Sequence, residues 1–413
     1  MQPELLFFSP TGADSLLLSL FIIFAAAKLS AEFFERIRQP PVVGEILAGI
    51  IIGPSVFKLI HHTELTHALS EMGVMLLLFT VGLEVNSRAL FRVGTISLLV
   101  AVCGVVLPFI AGYFFMHYTG GNTAEAIFLG AALVATSVGI TARVLSGMRM
   151  LSAKSSQIIL GAAVIDDILG LLVLSIVTSI AKGQIKYGEI LTTAAVSIGF
   201  TLFVALVGTK IVKRASPSLE RLRIGHAYFV GGLILCLGFS VLATYIGMAA
   251  IVGAFLAGMA LAEISEHTTM HNQTSAVMEF LVPFFFVGIG LQVDLSVFTD
   301  KQMVIMSLIL TTIAIATKLL GCGAAALPLG LRAALQIGVG MMPRGEVGII
   351  VAQLGLGMGV LSKASYAMVV FMAVATTLIA PPLLKLLYDE RDKAASTSPE
   401  SEIVEPEQPL SSM

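Results

Sequence analysis

Ile158-Ile159-Leu160-Gly161-Ala162-Ala163-Val164-Ile165-Asp166-Asp167-Ile168-Leu169-Gly170-Leu171-Leu172-Val173 decides the fold. Two adjacent carboxylates stand about halfway along an otherwise apolar run from 154 to 181. A run of ~20 such residues is what a helix needs to cross the hydrocarbon core of a bilayer. One Asp at the bilayer centre costs roughly 2.5–3.5 kcal/mol, so two neighbours require partners or water, and intramembrane acids of this kind mark ion pathways. Successive helical residues point about 100° apart, so Asp166 and Asp167 face different surroundings and take different partners.

Working outward, apolar runs of the same length recur along almost the whole chain. The 413 residues are 57% hydrophobic and 12% charged, against roughly 45–50% apolar and about 25% charged in soluble domains. No water-soluble fold of this length hides that much apolar surface. The pattern predicts an all-α integral membrane protein of about thirteen spans, near 13–35, 41–60, 68–86, 92–117, 124–147, 154–181, 188–213, 225–246, 248–265, 274–293, 301–326, 331–358 and 363–388. Residues 1–388 thus read as a single membrane transporter unit, and the Glu-, Ser- and Pro-rich 389–413 as a disordered cytoplasmic tail. The acidic N-terminus lacks a basic leader and a cleavage site, so the first run is expected to be a retained span.

Charge placement orients the chain. Of 24 Lys and Arg, 15 fall in one set of loops (Arg36 and Arg38, Arg88 and Arg92, Arg149 and Lys154, the 210–223 cluster, Arg332 and the C-terminal group) and five in the other: Lys58, Lys182, Lys186, Lys301 and Lys363. By the positive-inside rule the first set is cytoplasmic, with the N-terminus outside, the C-terminus inside and an odd number of spans. A multi-pass protein of the cell inner membrane is expected. The formal charge of −2 offers nothing to nucleic acid.

Two spans are interrupted. Ala135-Thr136-Ser137-Val138-Gly139-Ile140-Thr141 and Gly338-Val339-Gly340-Met341-Met342-Pro343-Arg344-Gly345-Glu346 put Gly, Pro or hydroxyl residues at membrane depth. They fall in the fifth and twelfth spans, the same place in each half of a six, one, six arrangement, which is the footprint of an inverted repeat. Unwound backbone offers carbonyl oxygens, and Thr136 and Ser137 add hydroxyls, a set suited to a hard cation such as Na⁺ or Li⁺. A desolvated carboxylate that holds either a proton or such a cation, but not both, produces exchange. Four cations remain within spans: Lys28, Arg143, Lys318 and Arg344. Lys28 lies near a cytoplasmic end and can snorkel. Lys318, mid-span in the eleventh helix, is the natural counter-ion of the aspartate pair. Arg143, Arg344 and Glu346 are expected to compensate the half-helix dipoles at the breaks.

Other motifs narrow the class. There is no HExxH, no Walker-type GxxxxGK[ST] and no nicotinamide fingerprint, so neither an enzyme nor a resident cofactor is expected. Cys103, Cys236 and Cys322 sit inside apolar runs without metal-ligand spacing, and His61, His62 and His67 read as solvated loop residues. Gly49-Ile50-Ile51-Ile52-Gly53 reads as a helix-packing step.

Five segments together carry a resemblance: Gln39-Pro40-Pro41-Val42-Val43-Gly44-Glu45-Ile46-Leu47-Ala48-Gly49, Val81-Gly82-Leu83-Glu84, Ala135 to Arg143, Gly161 to Gly170, and Pro343-Arg344-Gly345-Glu346-Val347-Gly348. The chain resembles bacterial Na⁺/H⁺ antiporters of the cation/proton antiporter-2 family, NapA type. That resemblance implies a NhaA/NapA-like fold with two crossed discontinuous helices. It implies a homodimer in the lipid bilayer, with a dimerisation domain interleaved with a core domain around 92–181 and 301–388 that moves in an elevator-like cycle. It makes Asp167 the carrier of proton and metal ion (Na⁺ or Li⁺), Asp166 the partner of Lys318, and Thr136 a residue near the ion. Paired aspartates resemble the electrogenic branch, in which two protons exchange for one Na⁺. The competing expectation is a K⁺/H⁺ antiporter or K⁺ efflux protein of the same superfamily; a membrane enzyme or receptor using the acids as a pair would need a metal or nucleophile motif that is missing.

Overall fold

The computed structural model describes residues 13–61, 63–85, 94–181, 187–208, 226–265, 269–293 and 300–388, with isolated positions between them. The expected tail at 389–413, His62 and several of the loop cations lie outside the described residues. Among the described residues the regular structure is entirely helical: α1 (Ala13–Arg36), α2 (Pro41–Ile52), α3 (Glu64–Glu84), α4 (Gly94–Tyr118), α5 (Thr123–Ala132), α6 (Val138–Gly147), α7 (Lys154–Ala181), α8 (Tyr187–Phe203, running into a π turn at Val204–Gly208), α9 (Ala227–Ile246), α10 (Ala250–Ser265), α11 (Met270–Leu291), α12 (Lys301–Ala326), α13 (Leu331–Gly340), α14 (Glu346–Gly357) and α15 (Lys363–Leu387). Eight of these, α1, α3, α4, α7, α9, α11, α12 and α15, are long and apolar enough to cross a membrane. Large apolar side chains such as Leu17, Phe21, Leu29 and Phe33 on α1 and Leu98, Leu99 and Ile110 on α4 stand exposed. That is the surface a lipid solvent accepts and water does not.

Local chemistry sets the ends. Thr63 and Thr66 form a reciprocal capping box at the start of α3, Asn122 accepts from Glu125 N at the start of α5, and Ser362 does the same for Ser365 N at α15. The span expected over 41–60 stops early, at Ile52. Gly53 is extended there, and Pro54 has no N–H to continue a helix. The chain instead folds back, Lys58 N donating to Gly53 O and Ile60 N to Ile52 O. The second expected break also begins later than the glycines suggested, because α13 stays helical through Gly340.

The helices pack as two bundles. α1, α2, α3, α9, α10 and α11 pack on one another, and α4, α5, α7, α12, α13, α14 and α15 on one another; α6 touches α3 and α2 on one side and α15 and α7 on the other. Glycine allows the closest approaches in the first bundle. A Cβ on Gly258 of α10 would lie 2.1 Å from Phe79 O of α3, and one on Gly49 of α2 would lie 2.2 Å from Val287 O of α11. Small residues let backbones touch in this way where lipid removes the usual hydrophobic drive.

Candidate ion-binding site

The site is built where the two interrupted segments meet. α5 ends at Ala132 and α6 resumes at Val138; α13 ends at Gly340 and α14 resumes at Glu346. Pro343 sits in the second gap, where its missing N–H removes a helix bond. The gaps are stitched together: Ser137 N donates to Pro343 O at 2.8 Å, and Thr141 Oγ1 to Gly340 O at 2.6 Å. Gly345 permits this contact, since a Cβ there would stand 2.5 Å from Ser137 Cβ.

Arg344 closes the joint. It is 0% exposed, and Nη1 donates to Val134 O at 2.9 Å and to Ala135 O at 3.2 Å. Nη2 reaches Ala314 O of α12 at 3.4 Å. The last carbonyls of a helix lack intrahelical donors, so a guanidinium fork here neutralises both the orphan oxygens and the negative end of the α5 dipole. The Arg344 backbone is held by Thr376 and Thr377 of α15, through Arg344 N to Thr376 Oγ1 and Thr377 Oγ1 to Arg344 O.

α7 brings the carboxylates to this joint. Asp166 is 1% exposed and accepts from Lys318 Nζ on α12 at 3.2 Å, with Lys318 itself 0% exposed. Gly104 of α4 clears the space for the lysine, since a Cβ on it would lie 3.1 Å from Nζ. Asp167, on the next face of α7, is half-buried. It lines a cavity of about 10 Å³ together with Val138, the first residue of α6, and Leu78, Val164 and Phe255. That is roughly the space of one water molecule or small ion. Two buried oxygens, Asp166 Oδ2 and Thr136 Oγ1, have no hydrogen-bond partner among the described residues. Desolvated oxygens without donors are costly, and hard cations bind such oxygens.

The sequence-selected residues divide. Asp166, Lys318, Thr136, Ser137 and Arg344 are concentrated around the joined gaps and α7, with Asp167 on the adjoining cavity. Glu346 begins α14, and its side chain lies outside the described residues. Arg143 departs from its expected place at the break. It lies in the second half of α6, where Nη2 donates to Glu279 Oε1 of α11 at 2.7 Å. Lys28 binds the other oxygen of Glu279 at 2.9 Å rather than snorkelling alone. Glu279, and Glu45 of α2, which is 2% exposed, are functional candidates that sequence reasoning passed over; each was a charge inside an expected span, the same signal that singled out Lys318. His67 lies 3.7 Å from Glu71, one helical turn along α3. No cluster of three or more potential metal ligands of the His, Cys, Asp and Glu type occurs among the described residues, and the three cysteines are unbridged.

Comparison with known proteins finds relatives along nearly the whole chain. The high-affinity Na⁺/H⁺ antiporter NhaS3 of Synechocystis is 34% identical over 97% of this chain and 95% of its own length. The Na⁺/H⁺-K⁺ antiporter GerN of Bacillus cereus is 34% identical over 91% of this chain and 97% of its own. In structure, the sodium proton antiporter MjNhaP1 of Methanocaldococcus jannaschii superposes with a TM-score of 0.64 over 91% of this chain and 100% of its own, at 16% identity. Residues 19–388 match the family described as sodium/hydrogen exchanger, transmembrane, so this multi-pass protein belongs to the transmembrane sodium/hydrogen exchanger family and is a transporter, not an enzyme.

Proposed function

We propose that this chain exchanges Na⁺ or Li⁺ for protons, with Asp167 as the group for which the two compete. The observation that carries the reading is the division of labour on α7: Asp166 is already held by Lys318 at 3.2 Å, while Asp167 faces a small cavity beside the start of α6. Thr136 Oγ1, unbonded in the adjoining gap, completes an oxygen set for a desolvated cation. Binding the cation displaces the Asp167 proton, and protonation expels the cation. The names of the two relatives above support cation/proton exchange, and the K⁺ in one of them keeps K⁺ as the second cation to be tested.

In this reading each pair of half-helices, α5 with α6 and α13 with α14, makes one interrupted crossing. Thirteen spans result, in a six, one, six inverted arrangement centred on α8, and the interrupted pair cross at the Arg344 joint. The bundle holding α4–α7 and α12–α15 is the moving core of an elevator cycle, and the other bundle is the static, dimer-forming part. The protein lies in the inner membrane with its N-terminus outside. Two protons per Na⁺ make the exchange electrogenic.

Reconstitution tests this. Proteoliposomes should show Na⁺- or Li⁺-driven proton movement that responds to an imposed potential, each net charge being worth ~2.3 kcal/mol per 100 mV. Asp167→Asn should abolish it. Flux that persists in that variant removes Asp167 as carrier, voltage-independent flux removes the electrogenic stoichiometry, and an equal response to K⁺ moves the selectivity to the wider cation class.

A further inference from the structure

Two large cavities lie near the site, one at the start of α3 and one at the α1–α2 turn. One, of about 700 Å³, is lined by the start of α3 (Thr63, Glu64, His67, Val74) and by Ala250 and Ile251 of α10. It shares Ile251 with the Asp167 cavity, so the two adjoin at that side chain. The other, of about 500 Å³, is a vestibule at the α1–α2 turn, lined by Gln39, Glu45, Arg143, Val144, Glu279 and Lys385 among others. It shares no lining residue with the Asp167 cavity. Along α6 it stops at Arg143, five residues from Val138, which is about 7.5 Å of helix. The intervening α6 residues Ile140 and Ala142 are fully buried.

α6 is held in that blocking position by polar ties at its vestibule end. Arg143 binds Glu279 of α11, and the Ser146 hydroxyl donates to Glu84 of α3. Deeper in, the contact is apolar and smooth: Gly139 rests on Val74, Leu78 and Phe285. An apolar face can slide, whereas an ion pair is either made or broken. Glu279 is fixed from behind by Lys28 of α1, a helix of its own bundle. Glu45, buried at the vestibule wall, places a further carboxyl group near Arg143, Lys28 and Glu279.

We infer that Glu279 is a positioning residue for the exchange: through Arg143 it latches α6 across the vestibule and confines access to Asp167 to the opposite cavity. The inference rests on the exchange reading above, with α6 moving relative to α11. Breaking the Arg143–Glu279 tie therefore shifts access toward the vestibule. Removing Lys28 does not, because it cuts only a tie within one bundle.

The test is side-specific labelling of full-length Val138→Cys protein with a membrane-impermeant maleimide, in right-side-out and inverted vesicles, above the parent's own background. Glu279→Gln and Arg143→Gln should each change the ratio of the two rates roughly two- to fivefold toward the vestibule face, the range expected for a partly exposed ion pair. Lys28→Gln should leave it unchanged. In the Lys28→Gln background, Arg143→Glu with Glu279→Arg should restore the parent ratio, which also shows that the single variants fold. An unchanged ratio in both single variants, an equal change with Lys28→Gln, or no restoration by the exchange of charges overturns the latch. Labelling needs no ion flux, so loss of Na⁺-driven transport and loss of the latch are read independently.

Discussion

At the scale of single residues, the most constrained group is the Asp166–Lys318 pair. Both members are out of reach of solvent, so removing one leaves a buried charge alone. Lys318→Gln is expected to destabilise the protein by about 3–5 kcal/mol, read as a lowered thermal midpoint in detergent. Adding Asp166→Asn should recover most of that loss, because the double variant strands no charge. The alternative, that Lys318 is merely a packed aliphatic stem, gives equal losses in the single and double variants. Arg344 follows the same logic with different geometry. Arg344→Lys keeps the charge but loses the fork that holds Val134 O and Ala135 O through Nη1 and Ala314 O through Nη2, so Na⁺-driven flux should fall even where the protein still folds. These pairings were legible to different degrees. A lone lysine and two aspartates at mid-span leave few partners, so Lys318 with one of the aspartates can be read from hydropathy, while the choice of Asp166 rests only on the family resemblance. Lys28, Arg143 and Glu279 stand 251 and 136 residues from one another along the chain. Nothing local announces that they meet, and the bland reading of each concealed the cluster.

At the scale of elements, the decisive features are where helices stop and how closely they approach. The gaps around Thr136 and Pro343 were legible because glycine, proline and hydroxyl residues cluster there at corresponding places in the two halves, whereas lone prolines such as Pro108 and Pro283 stay within helices. Their limits were less legible, since Gly338 and Gly340 tolerate helix and α13 keeps them. Helix α2 was overread for a related reason: apolarity continues past Gly53-Pro54, and only the backbone chemistry of proline ends the helix. Close packing gives a sharper test than boundaries do. Gly258→Ala drives a methyl to 2.1 Å from Phe79 O, where neither backbone can yield, and should cost at least the ~1–3 kcal/mol typical of overpacking. Gly238→Ala, on α9 with nothing within 4 Å of the new methyl, should be neutral or stabilising by up to ~1 kcal/mol. Thermal melting of the two variants side by side separates packing from propensity; equal midpoints would dismiss the close α3–α10 contact.

At the scale of the whole molecule, the two bundles meet through few elements: α6 against α3 and α2, α15 against α2, and α8, which with its π turn touches α7 on one side and α9 and α10 on the other. The breadth of packing within each bundle and its sparseness between them make relative movement of the bundles the low-cost motion. The cavities of about 700 and 500 Å³ have polar walls as well as apolar ones, Glu64, Glu71 and Gln353 in one and Glu32, Glu35 and Lys385 in the other. What separates the vestibule from the Asp167 cavity is thin, about 7.5 Å of α6. A membrane potential falls across insulator and scarcely across electrolyte, so with water in both cavities, as the proposed exchange requires, the electric field is concentrated in that short septum and is steeper there than through the surrounding lipid. A charge displaced there by only a few ångströms samples a large share of the applied voltage.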